Sequence, residues 1–243
     1  MKNCWLLVLL ACFSLLQGCR YSAQYVNRGL EKFQEGDIEG AIADYSRAIQ
    51  ADPDNSIAYY NRGLAKQRMD DLAGAVADYS RAVEIDPAFA KAYHNRGIVR
   101  QEMGILAEAL ADYNKVLELD SKDAMAYYNR GTIKLAEWDY DGAIADFDQA
   151  LKLDPGNAFA LRCRGDAKFQ VEDFDEAIAD YSRAITVDPR YAIAFFNRGI
   201  VLERKREYSR AIRDYQKVVE INPRLKKEAE ARIKICESQM KRK

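Results

Sequence analysis

Residues 56–89 read SIAYYNRGLAKQRMDDLAGAVADYSRAVEIDPAF, and a closely similar sequence begins again at residue 90. The tripeptide Asn-Arg-Gly starts at residues 27, 61, 95, 129 and 197, and Cys-Arg-Gly starts at residue 163, so consecutive copies are always 34 residues apart. A fixed period of this length, without a single insertion, predicts an array of structural repeats. We number the positions of each repeat 1–34, with first residues at 22, 56, 90, 124, 158 and 192.

Four positions keep the same residue type in all or nearly all repeats. Position 8 is always glycine, position 20 is always alanine, and position 24 is tyrosine or phenylalanine; position 32 holds all five prolines, with Ser121 in the remaining repeat. Glycine inside a helix costs about 1 kcal/mol relative to alanine, so six in register indicate that another helix crosses too closely for a side chain. Proline cannot continue a helix interior, so each one predicts the end of a second helix.

With an aromatic residue at position 4 and a small residue at position 27, this pattern resembles the tetratricopeptide repeat over residues 22–223. The resemblance implies an all-α, right-handed superhelical solenoid of six helix-turn-helix units, in which each unit buries its apolar face against its neighbours. Residues 224–243 are predicted to form a C-terminal capping helix and a basic tail, with Leu225, Ala229, Ile233 and Cys236 on the apolar side of the helix.

Two charged residues recur at positions that should face other helices. Position 7 is always arginine and position 23 is always aspartate, although position 7 lies in an apolar stripe. A charge on a packing face needs a partner of the opposite sign. We therefore expect a structural Arg–Asp ladder, within repeats or between neighbours, made by Arg28, Asp44, Arg62, Asp78, Arg96, Asp112, Arg130, Asp146, Arg164, Asp180, Arg198 and Asp214.

In tetratricopeptide repeat proteins the first helices line a concave groove, so the resemblance also implies a binding surface for a peptide. Aromatic residues recur at position 5, asparagines at position 6 and aliphatic residues at position 9, although the asparagines could instead satisfy local hydrogen bonds. In repeat 5, charged residues interrupt the apolar stripe, which indicates either selection of an acidic group on the ligand or sequence drift. The candidate groove residues are Asn27, Tyr60, Asn61, Leu64, His94, Asn95, Ile98, Tyr128, Asn129, Arg162, Phe196 and Asn197.

The first residues are typical of a targeting segment. An apolar run from Trp5 to Leu16 is too short for a membrane span. The tetrapeptide Leu16-Gln17-Gly18-Cys19 begins at the last residue of this run. These four residues resemble the lipobox of bacterial lipoproteins. The resemblance implies that residues 1–18 are a signal peptide, that Cys19 is lipidated, and that the protein is anchored in the bacterial cell envelope, at the outer membrane facing the periplasm.

The remaining composition argues against catalysis. His94 is the only histidine, and the sequence contains no phosphate-binding loop, metal-ligand cluster or nucleophile motif, so we expect no enzymatic activity, no cofactor and no metal. The formal net charge of -1 gives no reason to expect nucleic acid as a partner. Residues 192–243 are strongly basic, which is consistent with a soluble cap or with docking to an acidic partner or an anionic surface. We expect a membrane-anchored scaffold for a protein or peptide; the alternatives are a self-associating assembly subunit and an unlipidated soluble module.

Overall fold

The structure is a computed structural model that describes residues 20–241, in which all regular secondary structure is helical. The prediction of an all-α repeat fold is therefore confirmed for this part of the chain. Helix α1 covers residues 20–35, and it is followed by α2 Ile38–Ala51, α3 Ser56–Arg68, α4 Leu72–Ile85, α5 Ala90–Glu102, α6 Leu106–Leu119, α7 Ala124–Ala136, α8 Tyr140–Leu153, α9 Ala158–Gln170, α10 Phe174–Val187, α11 Ala192–Arg204, α12 Tyr208–Ile221 and α13 Lys226–Met240.

The described helices fall into two compact units, which divide between Ser121 and Lys122. The first unit contains the helix pairs α1–α2, α3–α4 and α5–α6, and the second contains α7–α8, α9–α10, α11–α12 and the final helix α13. The sequence predicted one array over residues 22–223. The boundary between the units falls at Ser121, the residue that replaces proline at position 32.

Each helix pair follows from local features of the repeat. Asp37, Asp71 and Asp139 accept a hydrogen bond from the backbone N–H of a glycine three residues later and so cap the second helix of their repeats. The second helices end two residues before the prolines, as predicted; α2, for example, ends at Ala51 before Pro53. Between the two helices, position 15 has positive φ in every repeat, at Gly36, Asp70, Gly104, Trp138, Glu172 and Arg206.

The core of a helix pair forms where the glycine at position 8 meets the ring at position 24. A Cβ atom added to Gly97 would lie 2.9 Å from Cε1 of Tyr113, and the other five repeats have the same arrangement. The sequence predicted a close helix crossing at these glycines; the structure adds that the obstacle is the aromatic side chain. The alanine at position 20 is fully buried in all six repeats, so the second helix also approaches its neighbours closely.

The last helix closes the apolar surface of the sixth repeat. Ala229 and Cys236 of α13 are fully buried against a cluster that contains Leu202, Tyr215 and Val218. Because the sixth repeat has no following repeat in the described chain, α13 takes the place that a neighbouring repeat would occupy.

Candidate functional site

The arginine at position 7 binds the aspartate at position 23 of the same repeat in all six repeats. In repeat 2, Nε and Nη2 of Arg62 donate to Oδ2 and Oδ1 of Asp78, at 2.9 and 2.7 Å. The sequence left open whether such pairs form within repeats or between them, and the structure places them within repeats. The pairs are Arg28–Asp44, Arg62–Asp78, Arg96–Asp112, Arg130–Asp146, Arg164–Asp180 and Arg198–Asp214.

A second cation, at position 11, reaches the same aspartate in repeats 1 to 5. In repeat 2, Nζ of Lys66 lies 2.8 Å from Oδ2 of Asp78, and the equivalent residues are Lys32, Arg100, Lys134 and Lys168. Position 11 of repeat 6 is instead Leu202, which packs in the cluster beneath α13. The sequence analysis missed this second cation, although a basic residue at position 11 in five of six repeats was a visible signal.

Most of these arginines also bind the preceding repeat. Nη1 of Arg62 donates to Oγ of Ser46 at 3.0 Å, and Arg96 and Arg198 bind Ser80 and Ser182 in the same way. Nη1 of Arg164 donates to Oδ1 of Asp148 in repeat 4. The carboxylates at position 23 are nearly or fully buried, and the cations around Asp44, Arg28 first, hold the pKa of that carboxyl well below its usual value. The carboxylates of the ladder are therefore engaged inside the repeat array and are not presented to a ligand, whereas Arg28 in the first repeat keeps 47% of its side chain exposed.

In the first unit, the predicted groove residues form a partly exposed surface on the first helices. The ring of Tyr60 lies 4.9 Å from that of Phe89 and 5.8 Å from that of Tyr79, and its hydroxyl accepts a hydrogen bond from Nδ2 of Asn95 at 3.0 Å. His94 packs edge-on against Tyr113. The structure therefore leaves the following side chains half-buried or exposed on these helices: Asn27, Tyr60, Leu64, His94, Asn95 and Ile98.

Two predicted groove residues differ from the expectation. Asn61 is only 7% exposed and Phe196 only 9%, so neither offers appreciable surface to a partner. Phe196 is buried because its ring packs against Tyr215, with 5.6 Å between the ring centres, in the cluster that α13 closes. The burial of Phe196 could not be predicted from the sequence because position 5 carries a half-buried ring, Tyr60 or Tyr128, in other repeats.

In the second unit, the charged residues of repeat 5 form a compact polar cluster. The three guanidinium nitrogens of Arg162 bind Tyr191 Oη, Asp166 Oδ2 and Cys163 Sγ. Oδ1 of Asp166 also accepts hydrogen bonds from the Tyr181 hydroxyl and from Nδ2 of Asn197, each at 2.7 Å. Three of the five N–H donors of Arg162 are therefore engaged within the cluster, and selection of an acidic group by the charged residues of repeat 5 stays a prediction.

Asp166 lines a pocket of about 390 Å³ formed by residues of repeats 4 to 6. The pocket is lined by Leu135, Trp138, Tyr140, Asp166, Phe169, Gln170, Tyr181, Asn197 and Ile200. Burial raises the pKa of the Asp166 carboxyl above its usual value, and the charge of Arg162 opposes that effect. The sequence did not predict this pocket; Tyr128 and Asn129, which it did predict, lie half-buried on α7, outside the lining.

The other chemically reactive side chains offer little for catalysis. Cys163 and Cys236 are free and buried, and burial raises the pKa of both thiols, that of Cys236 to about 11. Residues 20–241 contain no cluster of side chains that could hold a metal ion. In the same range, no helix is long and apolar enough to span a lipid bilayer. Cys19 and the predicted signal peptide lie outside the described residues.

Family comparisons agree with the repeat pattern. A family model described as a TPR repeat matches residues 29–70 and 69–104, and models described as a tetratricopeptide repeat match residues 90–123, 124–157 and 164–225. Together they span nearly all of the repeat region. A search of curated protein sequences finds no significant match.

Solved structures with the same fold include several repeat proteins. YrrB, a TPR protein with an unusual peptide-binding site, is 24% identical over 74% of this chain and 92% of its own, with a TM-score of 0.66. A tetratricopeptide repeat protein from Parabacteroides merdae is 22% identical over 90% and 93% of the two chains, with a TM-score of 0.70. PilF of Pseudomonas aeruginosa is 17% identical over 88% and 99%, with a TM-score of 0.74. At these identities the similarity shows the fold.

Proposed function

We propose that this chain, which belongs to the tetratricopeptide repeat family, is a non-enzymatic scaffold that binds a segment of another protein on the surface of its first helices. The observation that carries this proposal is the partial exposure of large rings on that surface, Tyr60 in the first unit and Tyr128 in the second. Aromatic side chains on a polar-edged surface are typical anchors of protein interfaces. The peptide-binding site of YrrB gives a precedent for this use of the fold.

Site-specific crosslinking tests the binding surface. A photoreactive phenylalanine analogue is introduced at Tyr60 or Tyr128 of the full-length chain in intact cells, and the crosslinked proteins are identified by mass spectrometry. The matched controls are Gln50 and Gln149, which are exposed on second helices of the same two units. We expect one partner to be captured from the first-helix positions and not from the controls. Capture of that partner only from Gln50 or Gln149 would contradict the proposal.

We also propose that lipidation of Cys19 anchors the scaffold in the cell envelope, where it recruits its partner to a membrane. The support is the Leu16-Gln17-Gly18-Cys19 sequence after a short apolar run. Secretion or pilus assembly and recruitment of cell-wall enzymes are functions consistent with such an adaptor, by analogy with other lipoproteins. If the anchor is absent, the chain is an unlipidated interaction module.

The anchor is tested by replacing the cysteine. Cys19→Ala is compared with Cys12→Ala, because Cys12 lies in the segment that the proposed cleavage removes. We expect Cys19→Ala to abolish incorporation of a clickable fatty acid and to release the protein from washed membranes, and Cys12→Ala to leave both unchanged. Membrane association and labelling that survive Cys19→Ala would exclude the anchor.

The charge distribution favours one alternative function, self-association. Residues 192–243 carry 15 lysine and arginine residues against 7 aspartate and glutamate residues, whereas residues 19–191 carry 21 against 31. Opposite charges on two regions of one chain can attract a second copy, and salt would weaken that attraction. Sedimentation at several protein and salt concentrations separates the two functions. An adaptor should stay monomeric, whereas an assembly subunit should gain mass as the salt concentration is lowered.

A further inference from the structure

The loop of repeat 4 exposes a tryptophan in an unfavourable backbone conformation. Trp138 has φ of 65° and is 78% exposed, while glycine fills the same loop position in repeats 1 and 3. The left-handed conformation is less favourable for a residue with a side chain than for glycine. Within residues 20–241, the indole forms no hydrogen bond and no ring–ring contact that would offset this cost. Aspartate, glutamate and arginine adopt the same conformation at this position in repeats 2, 5 and 6, so repeat 4 is distinguished by the large, exposed ring that it places there.

The indole stands at the edge of the pocket above Asp166. Tyr140 and Phe169 add two more aromatic rings to the lining, and Leu135 and Ile200 add aliphatic surface. A tryptophan exposed beside a concave, partly apolar pocket is typical of an energetically dominant contact in a protein interface. The position of Trp138 thus connects an otherwise unexplained residue with a cavity of suitable size for one side chain.

The charge in the pocket indicates what kind of side chain it accepts. Asp166 is the single charged residue in the lining, and Arg162, which binds Oδ2 of Asp166, is not among the lining residues. A carboxylate can accept about four hydrogen bonds, and Asp166 accepts three: two at Oδ1 and one at Oδ2. One acceptor position on Oδ2 is therefore still open to a donor from a ligand.

The surroundings of the pocket agree with a positively charged ligand. Glu137 and Asp139 flank Trp138 in the chain, and both are exposed. Aromatic rings attract ammonium and guanidinium groups through the negative charge of their faces, and tryptophan does so best. Arg204 lines an adjoining depression together with Glu172 and does not line this pocket.

We propose that the pocket between Trp138 and Asp166 receives the lysine or arginine side chain of a partner protein, with the aliphatic part of that side chain against the rings and its cationic group at the Asp166 carboxylate. This inference rests on the proposed function, since it names the partner chemistry that one part of the binding surface recognises. It goes beyond that function by predicting that binding of the partner depends strictly on one positively charged side chain of the partner.

The test measures binding of labelled peptides Ala-Leu-X-Leu-Ala to the full-length chain by fluorescence anisotropy. X is arginine, its neutral isostere citrulline, lysine, its neutral analogue norleucine, or glutamate. We expect arginine to bind about tenfold more tightly than citrulline, lysine to exceed norleucine similarly, and glutamate to bind weakest. Equal binding of arginine and citrulline, or no binding of any of the five peptides, would overturn the proposal.

Two variants locate the site. Trp138→Gly relieves the left-handed residue and so should fold, and we expect it to weaken binding of the arginine peptide about tenfold. Asp70→Gly is the matched control, because Asp70 occupies the same loop position with φ of 63° in the other unit. Asp166→Asn should remove most of the preference for arginine over citrulline, with circular dichroism as a check on folding. Unchanged binding by Trp138→Gly would place the peptide elsewhere.

The outcomes separate this inference from the proposed function. If the partner is crosslinked from Tyr60 or Tyr128 but the peptides show no charge preference, the proposed scaffold function is supported. The proposal that the pocket receives a lysine or arginine side chain is then wrong. If charge preference is found but the crosslinks arise only from second-helix controls, the pocket binds cations while the first-helix surface is not the main binding site.

Discussion

The buried aspartate at position 23 shows how one residue type can be required throughout an array. A carboxylate removed from water is costly unless cations and hydrogen bonds compensate for the lost hydration. The carboxylate of Asp112 forms ion pairs with Nη2 of Arg96 and Nη1 of Arg100, each at 2.6 Å. Only 2% of Asp112 is exposed. The aspartate in turn neutralises the arginines on the apolar stripe, so neither partner can be replaced alone without leaving a buried charge.

The first prediction concerns this pair. Asp112→Ala should lower the free energy of unfolding by about 3 kcal/mol, because it leaves Arg96 and Arg100 without their shared counter-charge. Glu118→Ala is the control, since Glu118 binds Lys115 on the surface with 65% of its side chain exposed and should cost less than about 0.5 kcal/mol. Urea denaturation measures both. Equal and negligible losses in the two variants would show that this ladder pair contributes nothing to stability.

The second prediction concerns alkaline pH. Burial raises the pKa of Tyr45 from 10 to about 12, and it raises the pKa of the other buried tyrosines at position 24 as well. A raised folded-state pKa means that the unfolded chain loses these protons first, so stability should fall as pH rises from about 10 to 12. Thermal unfolding followed between pH 8 and pH 11 measures the loss.

A phenylalanine variant identifies the tyrosines as the cause. Tyr45→Phe copies repeat 4, which has Phe147 at this position, and it should make the melting temperature less sensitive to alkali. If Tyr45→Phe and the original chain lose stability in parallel above pH 10, then groups other than Tyr45 are responsible for the loss.

At the scale of the helix pair, the fold depends on a ring that fills the space left by a glycine. The helix-forming cost of glycine is about 1 kcal/mol relative to alanine. The chain accepts this cost six times because the ring at position 24 occupies the space of the missing Cβ. The same contact aligns the two helices of each repeat and so sets their crossing.

The third prediction tests this contact. Gly97→Ala should destabilise the protein by about 1–3 kcal/mol, although alanine is the better helix former, because its Cβ would lie 2.9 Å from the ring of Tyr113. A double-mutant cycle with Tyr113→Ala provides the control. Once the ring is removed, Gly97→Ala should become neutral or stabilising in chemical denaturation. A penalty that is the same in both backgrounds would refute the packing explanation.

At the scale of the whole molecule, a repeat array must end without exposing the face that its next repeat would cover. The sixth repeat differs from the others where it meets α13: Leu202 replaces the cation at position 11, and Asp214 therefore binds Arg198 without a second ladder cation. Apolar packing against α13 compensates for the missing ion pair at this end.

The fourth prediction is that deletion of residues 226–243 exposes Leu202, Tyr215 and Val218 and lowers stability by about 3 kcal/mol or more. Thermal unfolding and limited proteolysis after Arg204 or Arg213 measure the effect. The control is the double substitution Glu230→Ala with Lys234→Ala on the exposed side of α13, which should change little. A deleted chain that keeps its melting temperature and protease resistance would show that α13 is not a cap.

Much of this architecture could be predicted from the residues alone because its causes are local and repeated. The period of 34, the glycine at position 8 and the proline at position 32 gave the number of helix pairs and their ends. The partner of each position-7 arginine could be inferred because aspartate recurs with the same frequency. The second cation, at position 11, could not be assigned to the ladder from the sequence, because lysine on a half-exposed helix face is equally compatible with solvent contact.

The candidate site was less predictable because its parts come from different repeats. Position 5 carries similar rings in several repeats, yet Phe196 is buried and Tyr60 is not, and the difference comes from the packing of the last repeat against α13. The pocket needs Trp138, Asp166 and Ile200 together, and they are contributed by three successive repeats.

The sequence by itself determined the helix pairs, their register and the identity of the ladder partners. The helix ends, the contact between glycine and ring, and the charge pairs each form within one repeat, and this repeat recurs six times. Only the tertiary structure decided which side chains remain open to a partner and which charge faces the pocket. Exposure depends on what the neighbouring repeat places beside each residue, and that differs from one repeat to the next even where the residue does not.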